Sequence, residues 1–215
     1  MLQLIIFDYD GLMVDSEELA YRAERELLAS FGARLERAYF NQFLGVPVLE
    51  TLRNYLKKFP LKNATIENLV LERERLMLKR EAELQPMKGL FGLLDCLHRK
   101  NIRLAIASSG TKEYVLRGLR HLGIENKFQV VVCSDEVKRG KPFPDLVLLA
   151  LERAQIQAKN AIMLEDSLSG VEAAKRAGVF CIAVPPAGTD WNTYRHCDLV
   201  TSSLEQIRCL LLTRA

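Results

Sequence analysis

Two pairs of carboxylates, a hydroxyl-rich loop and a lysine framed by glycine and proline are the residues whose types and spacing could do chemistry. The first pair closes Leu4-Ile5-Ile6-Phe7-Asp8-Tyr9-Asp10-Gly11. Its apolar run reads as a buried strand, and open α/β sheets place ligand sites at the carboxyl ends of such strands. Residues i and i+2 of extended backbone face the same way, so Asp8 and Asp10 can address one ligand while Tyr9 points elsewhere. Clustered carboxylates repel unless a cation lies between them, and a hard, oxygen-seeking ion such as Mg²⁺ suits them. Standing alone, Asp-x-Asp-Gly is more often a turn or a cap. The second pair, in Met163-Leu164-Glu165-Asp166-Ser167, ends another apolar run. Asp166 or Ser167 could be a plain helix cap there. Two acidic strand ends in one sheet, however, make a negative pocket that a divalent cation explains economically.

The loop Ala105-Ile106-Ala107-Ser108-Ser109-Gly110-Thr111 offers hydroxyls and backbone amides between a strand and a helix N-terminus. Such a loop can bind phosphate, with Ser108 the natural donor and Ser109 beside it. Lys141 lies in Lys138-Arg139-Gly140-Lys141-Pro142-Phe143-Pro144-Asp145. The proline after it narrows its backbone freedom, a setting that could aim the ammonium inward. His98, His121 and His196 lie away from all these segments and read as non-catalytic. Trp191, after Pro185-Pro186-Ala187-Gly188, has no specific support for a substrate contact.

The elements that must position these residues fall into two patterns. From residue 87 onward short apolar runs alternate with helical patterns, the mark of a parallel sheet covered by helices. Strands are expected at Leu4 to Phe7, Ile102 to Ala107, Val130 to Cys133, Ala161 to Leu164, Val179 to Val184 and Leu199 to Thr201. One helix is expected from a Thr111 cap to Gly123 and another from Ser167 to Gly178. Residues 16–86 read as helices throughout: one capped by Ser16 with Leu19, Ala23, Leu27 and Phe31 in its stripe, one after Pro47 with Leu49, Leu52, Leu56 and Phe59, and one from Thr65 to about Leu84. The expected architecture is an α/β fold, a Rossmann-like parallel sheet core (residues 1–15 and 87–215) with an inserted helical cap domain (residues 16–86).

With 215 residues, 49% of them hydrophobic and 27% charged, the chain can bury a substantial core. A net charge of +3 without a basic block argues against nucleic acid as a partner. Cys96, Cys133, Cys181, Cys197 and Cys209 are odd in number and never form C-x-x-C, so neither a disulfide framework nor a zinc site is indicated. The opening apolar segment lacks the length and basic lead of a signal peptide, and no run approaches membrane-spanning length. A cytoplasmic monomer without membrane contact is expected.

In this order and around a helical insert, the four chemical segments resemble the motifs of the haloacid dehalogenase superfamily. The likeness is closest to the capped branch with β-phosphoglucomutase-like sugar-phosphate phosphatases and pseudouridine-5'-phosphatase-like enzymes. It spans essentially the whole chain. The resemblance implies a phosphatase acting on a small phosphorylated metabolite. Asp8 would attack phosphorus, Asp10 act as general acid then base, Ser108 bind the transferring group and Lys141 neutralise charge. Asp8, the backbone carbonyl of Asp10 and Asp166 would hold Mg²⁺, with Glu165 in support. β-Phosphoglucomutases carry a histidine on the first cap helix and an arginine soon after a glycine in the next segment, where Ala20 and Val48 stand here; both absences weaken a mutase reading. Arg22, Arg25 or Arg53 could substitute. A phosphorylatable receiver module is the reading from another class, but its phosphoacceptor follows a later strand and it has no helical insert. A metal-free dehalogenase would leave Asp10 and the second acidic pair without purpose.

Overall fold

Leu4–Phe7 (β1) is apolar and buried at every position, as befits a strand covered on both faces of a parallel sheet. The computed structural model describes residues 2–213. After β1 come β2 (Val14–Asp15), β3 (Gln85–Pro86), β4 (Arg103–Ala107), β5 (Val130–Val132), β6 (Ala161–Glu165), β7 (Phe180–Ala183) and β8 (Leu199–Val200). Among the described residues six of these form one parallel sheet in the order β5-β4-β1-β6-β7-β8. Every strand expected from the sequence is in it. Because β1 lies between β4 and β6, the loops leaving these three strands part at one crevice, where open sheets bind ligands.

The helices are α1 (Glu17–Ser30), α2 (Arg37–Phe40), α3 (Val48–Lys58), α4 (Ile66–Leu78), α5 (Leu90–Arg99), α6 (Lys112–His121), α7 (Asp145–Ala154), α8 (Leu168–Arg176) and α9 (Leu204–Thr213). Leu4 and Ile6 join a cluster with Leu146, Val147 and Ala150 of α7 and Val171 and Ala174 of α8. Ile5 and Phe7, also buried, alternate to the other face, where Phe7 meets Phe128 edge-on at 5.8 Å. Thr111 precedes α6, but its hydroxyl makes no cap bond. Asp135 of the next loop takes that place, accepting from Lys112 N at 3.1 Å. No described helix is long and apolar enough to cross a membrane.

The chain divides into two compact units, Met1–Asp15 with Gln85–Ala215, and Ser16–Leu84. Gln85 and Pro86, expected in the helical insert, instead pair antiparallel with Asp15 and Val14 in the sheet-bearing unit.

Within the second unit α1 buries Leu19, Ala23, Leu27 and Leu28. Ser16 does not cap it with its side chain, because its backbone is already near helical (φ −98°, ψ −4°) and the hydroxyl loses the extended cap geometry. The apolar stripe expected on α3 is rotated: Thr51, Leu52 and Tyr55 are buried, whereas Leu49 is 43% exposed. Tyr55 turns inward because its hydroxyl donates to Glu24 Oε2 at 2.7 Å. Thr65 caps α4 through Asn68 N at 3.2 Å. That helix stops at Leu78, short of the expected end, where the Arg80 side chain bonds the Leu76 carbonyl at 3.0 Å. Glu24, 3% exposed, also accepts from Arg73 Nε at 2.7 Å, so one buried carboxylate ties α1, α3 and α4 together. Removing one partner of such a buried pair costs about 3 kcal/mol. Glu24→Ala should therefore speed amide exchange across residues 16–84 while leaving β1, β4 and β6 protected; unchanged exchange in α1 and α4 would show that the carboxylate does not hold this unit.

Candidate active site

Asp8, Ser108 and Glu165 stand at the carboxyl ends of three adjacent strands, because each ends an apolar run that the sheet aligns. Asp8 N continues the ladder to Leu164 O at 3.0 Å, and Ser108 N does the same to Val132 O at 3.0 Å. Glu165 is the last residue of β6. Lys141 arrives from the loop before α7. Its Nζ donates to Asp8 Oδ1 and, at 2.5 Å, to Glu165 Oε1. Asp8, Ser108, Lys141 and Glu165 are all no more than 7% exposed. The other oxygen of Glu165 accepts from Ser167 N at 2.7 Å and Ser167 Oγ at 2.9 Å. The same hydroxyl accepts from Gly170 N at 3.1 Å, so Ser167 both caps α8 and fixes Glu165.

Carboxylate oxygens of Asp8, Glu165 and Asp166 lie within 4.8 Å of one another. Asp10, for which the resemblance implies only a backbone carbonyl toward a metal, has its carboxylate outside this trio. The strand ends at Phe7 and the chain turns at Gly11 (φ +77°); Asp10 Oδ1 accepts from Tyr114 OH at 2.9 Å, and its charge acts on both Asp8 and Asp166. A Cβ on Gly11 would overlap the Asp166 carboxylate, which explains a glycine at the turn. Ser108 Oγ accepts from Gly110 N at 2.9 Å, and Ser109 is exposed on the same loop. Two tyrosines escaped the sequence reading. Tyr114 touches Asp10 from 104 residues away, and Tyr194 OH donates to the Asp166 carbonyl. No local spacing announces either one. Trp191, three residues before Tyr194, is 48% exposed.

Residues 5–184 match the family described as haloacid dehalogenase-like hydrolase. The chain belongs to that family. It is 35% identical to a phosphorylated carbohydrates phosphatase of Thermotoga maritima, over 83% of this chain and 82% of that protein. Among solved structures it superposes on CbbY from Rhodobacter sphaeroides in complex with phosphate (TM-score 0.86, 27% identity, 96% of each chain). It also matches a putative β-phosphoglucomutase from Thermotoga maritima (TM-score 0.81, 31% identity, 100% of each chain). This hydrolase is an enzyme of the phosphoric monoester class.

Burial sets the electrostatics of the hydrolase's site. It pushes the Asp8 carboxyl up to about 7; Lys141 pulls against that shift, and Glu165 and Asp10 reinforce it. Burial, with Glu165 and Asp8, also holds Asp166 well above the usual carboxylate range. Burial opposes the charge on Lys141, yet Asp8 and Glu165 keep its ammonium above the ordinary lysine value. One ammonium among three carboxylates leaves negative charge uncompensated in a buried place, and an oxygen-only donor set fits a hard divalent cation.

A carboxyl group raised from about 4 to about 7 gives the folded state extra protons between those values. That stability is fully present below about pH 4 and is lost as pH rises through about 7. In the presence of a chelator, stability measured by urea denaturation should fall by a few kcal/mol between about pH 5 and about pH 8. Asp8→Asn should lessen the slope, with Asp166 supplying the remainder, and a divalent cation should recover the loss for the unaltered chain. A profile that is flat without cation would contradict this account of the site.

Proposed function

We propose that this hydrolase is a Mg²⁺-dependent phosphatase that releases phosphate from a small metabolite, a sugar phosphate or a nucleotide monophosphate, through an aspartyl phosphate on Asp8. The observation that carries the proposal is the buried Lys141 ammonium bridging Asp8 and Glu165 beside Asp166. A carboxylate held at a strand end, next to a fixed cation and a metal-fitting cluster, suits attack on phosphorus. The Thermotoga maritima phosphatase, by its name, supports a sugar phosphate as the substrate.

Asp8 Oδ attacks the phosphoryl group and the bond to the leaving oxygen breaks, with Asp10 donating a proton to that oxygen. Water then attacks the phosphoaspartate and gives its proton to Asp10, the Asp8–phosphorus bond breaks, and inorganic phosphate leaves. Lys141 balances charge on the phosphoryl oxygens, while Ser108 donates to one of them. Asp8, Asp166 and the backbone carbonyl of Asp10 would hold Mg²⁺, which supplies further charge neutralisation when bound. We assign the choice of leaving group to the helical insert, residues 16–84.

Ala20 and Val48 count against a mutase, since neither can hold the second phosphate of a bisphosphate intermediate. Two of the arginines that could replace that anchor are engaged inside the insert: Arg22 pairs with Glu83 at 2.5 Å, and Arg25 lies 5.6 Å from the Tyr21 ring centre.

Asp8→Asn should abolish turnover in a folded protein, because it removes the nucleophile at nearly constant volume. Asp166→Ala should raise the Mg²⁺ requirement sharply; an unchanged Mg²⁺ titration would remove it from the ligand set. With β-glucose 1-phosphate, Mg²⁺ and a trace of glucose 1,6-bisphosphate, phosphorus NMR should show no efficient conversion to glucose 6-phosphate. Rapid formation of glucose 6-phosphate with little free phosphate would make the protein a mutase.

A further inference from the structure

Tyr114, the third residue of α6, is only 5% exposed yet sends its hydroxyl to Asp10. Its ring is fixed from two directions. Tyr9, between the two aspartates in sequence, meets it edge-on with centroids 5.7 Å apart at 87°. Gly110, in the loop of Ser108, lies beneath it. A Cβ there would stand 3.0 Å from Tyr114 Cδ1 and 3.3 Å from Ser108 Oγ, so a bare backbone is what lets the ring lie against that loop. A tyrosine has two side-chain torsions, and packing on both sides leaves its hydroxyl little freedom. Asp10 follows the last residue of β1 by three positions, next to the turn at Gly11, where the strand no longer directs its side chain. Tyr114 OH gives its carboxylate a hold from another element, and a hydrogen bond to a charged oxygen is a strong one.

We infer that Tyr114 is a positioning residue for Asp10, holding the carboxylate that exchanges protons with the leaving group and then with water. The inference rests on the phosphatase reading above. It has a chemical signature that general loosening of the fold lacks. An alkoxide leaves only if Asp10 protonates it, whereas p-nitrophenolate leaves without help. Discharge of the phosphoaspartate needs Asp10 as base whichever group has left. Losing the hydroxyl should thus slow two steps and spare a third.

Tyr114→Phe deletes a single oxygen from the side chain. Rapid mixing with p-nitrophenyl phosphate should show a first turnover within about two-fold of the unaltered enzyme, followed by later turnovers slowed about ten-fold. That is part of the roughly 10²- to 10⁴-fold that acid–base catalysis supplies. Phosphoenzyme formation from glucose 6-phosphate, a sugar phosphate with an alkoxide leaving group, should slow by a similar factor. In an Asp10→Ala background the same substitution should change nothing, since tyrosine would act only through Asp10. Equal slowing of both phases with p-nitrophenyl phosphate, an unchanged steady state, or a persistent effect in the Asp10→Ala background would each overturn the inference. An unaltered enzyme that forms no phosphoenzyme from either ester would overturn the phosphatase reading as well, and is a distinct result.

Discussion

The ammonium of Lys141 between Asp8 and Glu165 is the interaction on which the rest of the site depends. Three carboxylates this close could not stay ionised in a buried crevice without a counter-charge. A lysine from outside the sheet supplies one, and the sheet exists to bring its two partners side by side. β1 pairs with β6 so that Phe7 lies opposite Leu164, which puts the next residue of each, Asp8 and Glu165, at one level. A register slip of one residue would turn one of these carboxylates to the opposite face.

Charge alone would not hold that geometry, and the surrounding hydrogen bonds show how it is kept. Glu165 is clamped by Lys141 on one oxygen and Ser167 on the other, so it reads as a support. Asp166 has its backbone carbonyl held by Tyr194 instead, and as a residue is less deeply buried than Glu165. Neighbouring acids in sequence thus have different surroundings, set by their partners.

What the sequence made legible follows from range. The strands were readable because their apolar runs are continuous, as burial on both faces requires. The acidic strand ends and Lys141 were readable because their chemistry is written within a few residues. The partner of Asp10 was not, since Tyr114 comes to it from a distant helix. Tyr114 and Tyr194 were invisible because they act across 104 and 28 residues. Helix ends failed in a similar way: Thr111 has the right chemistry for a cap, but Asp135 from another loop reaches the amide first. In the insert the stripe on α3 was misplaced because a polar partner, Glu24, draws Tyr55 inward against the pull of Leu49.

The small ribbon of β2 and β3 has a further consequence. The chain leaves the sheet-bearing unit at Asp15 and re-enters it at Gln85, and these two residues are paired neighbours. Nearly seventy residues are thereby threaded through one narrow doorway, and the sheet's own order never passes through them. An excursion with adjoining ends can be lengthened, shortened or exchanged for another without reopening the sheet. The two stretches of such a gene are separable, so one can change in length and sequence while the other keeps its strand order.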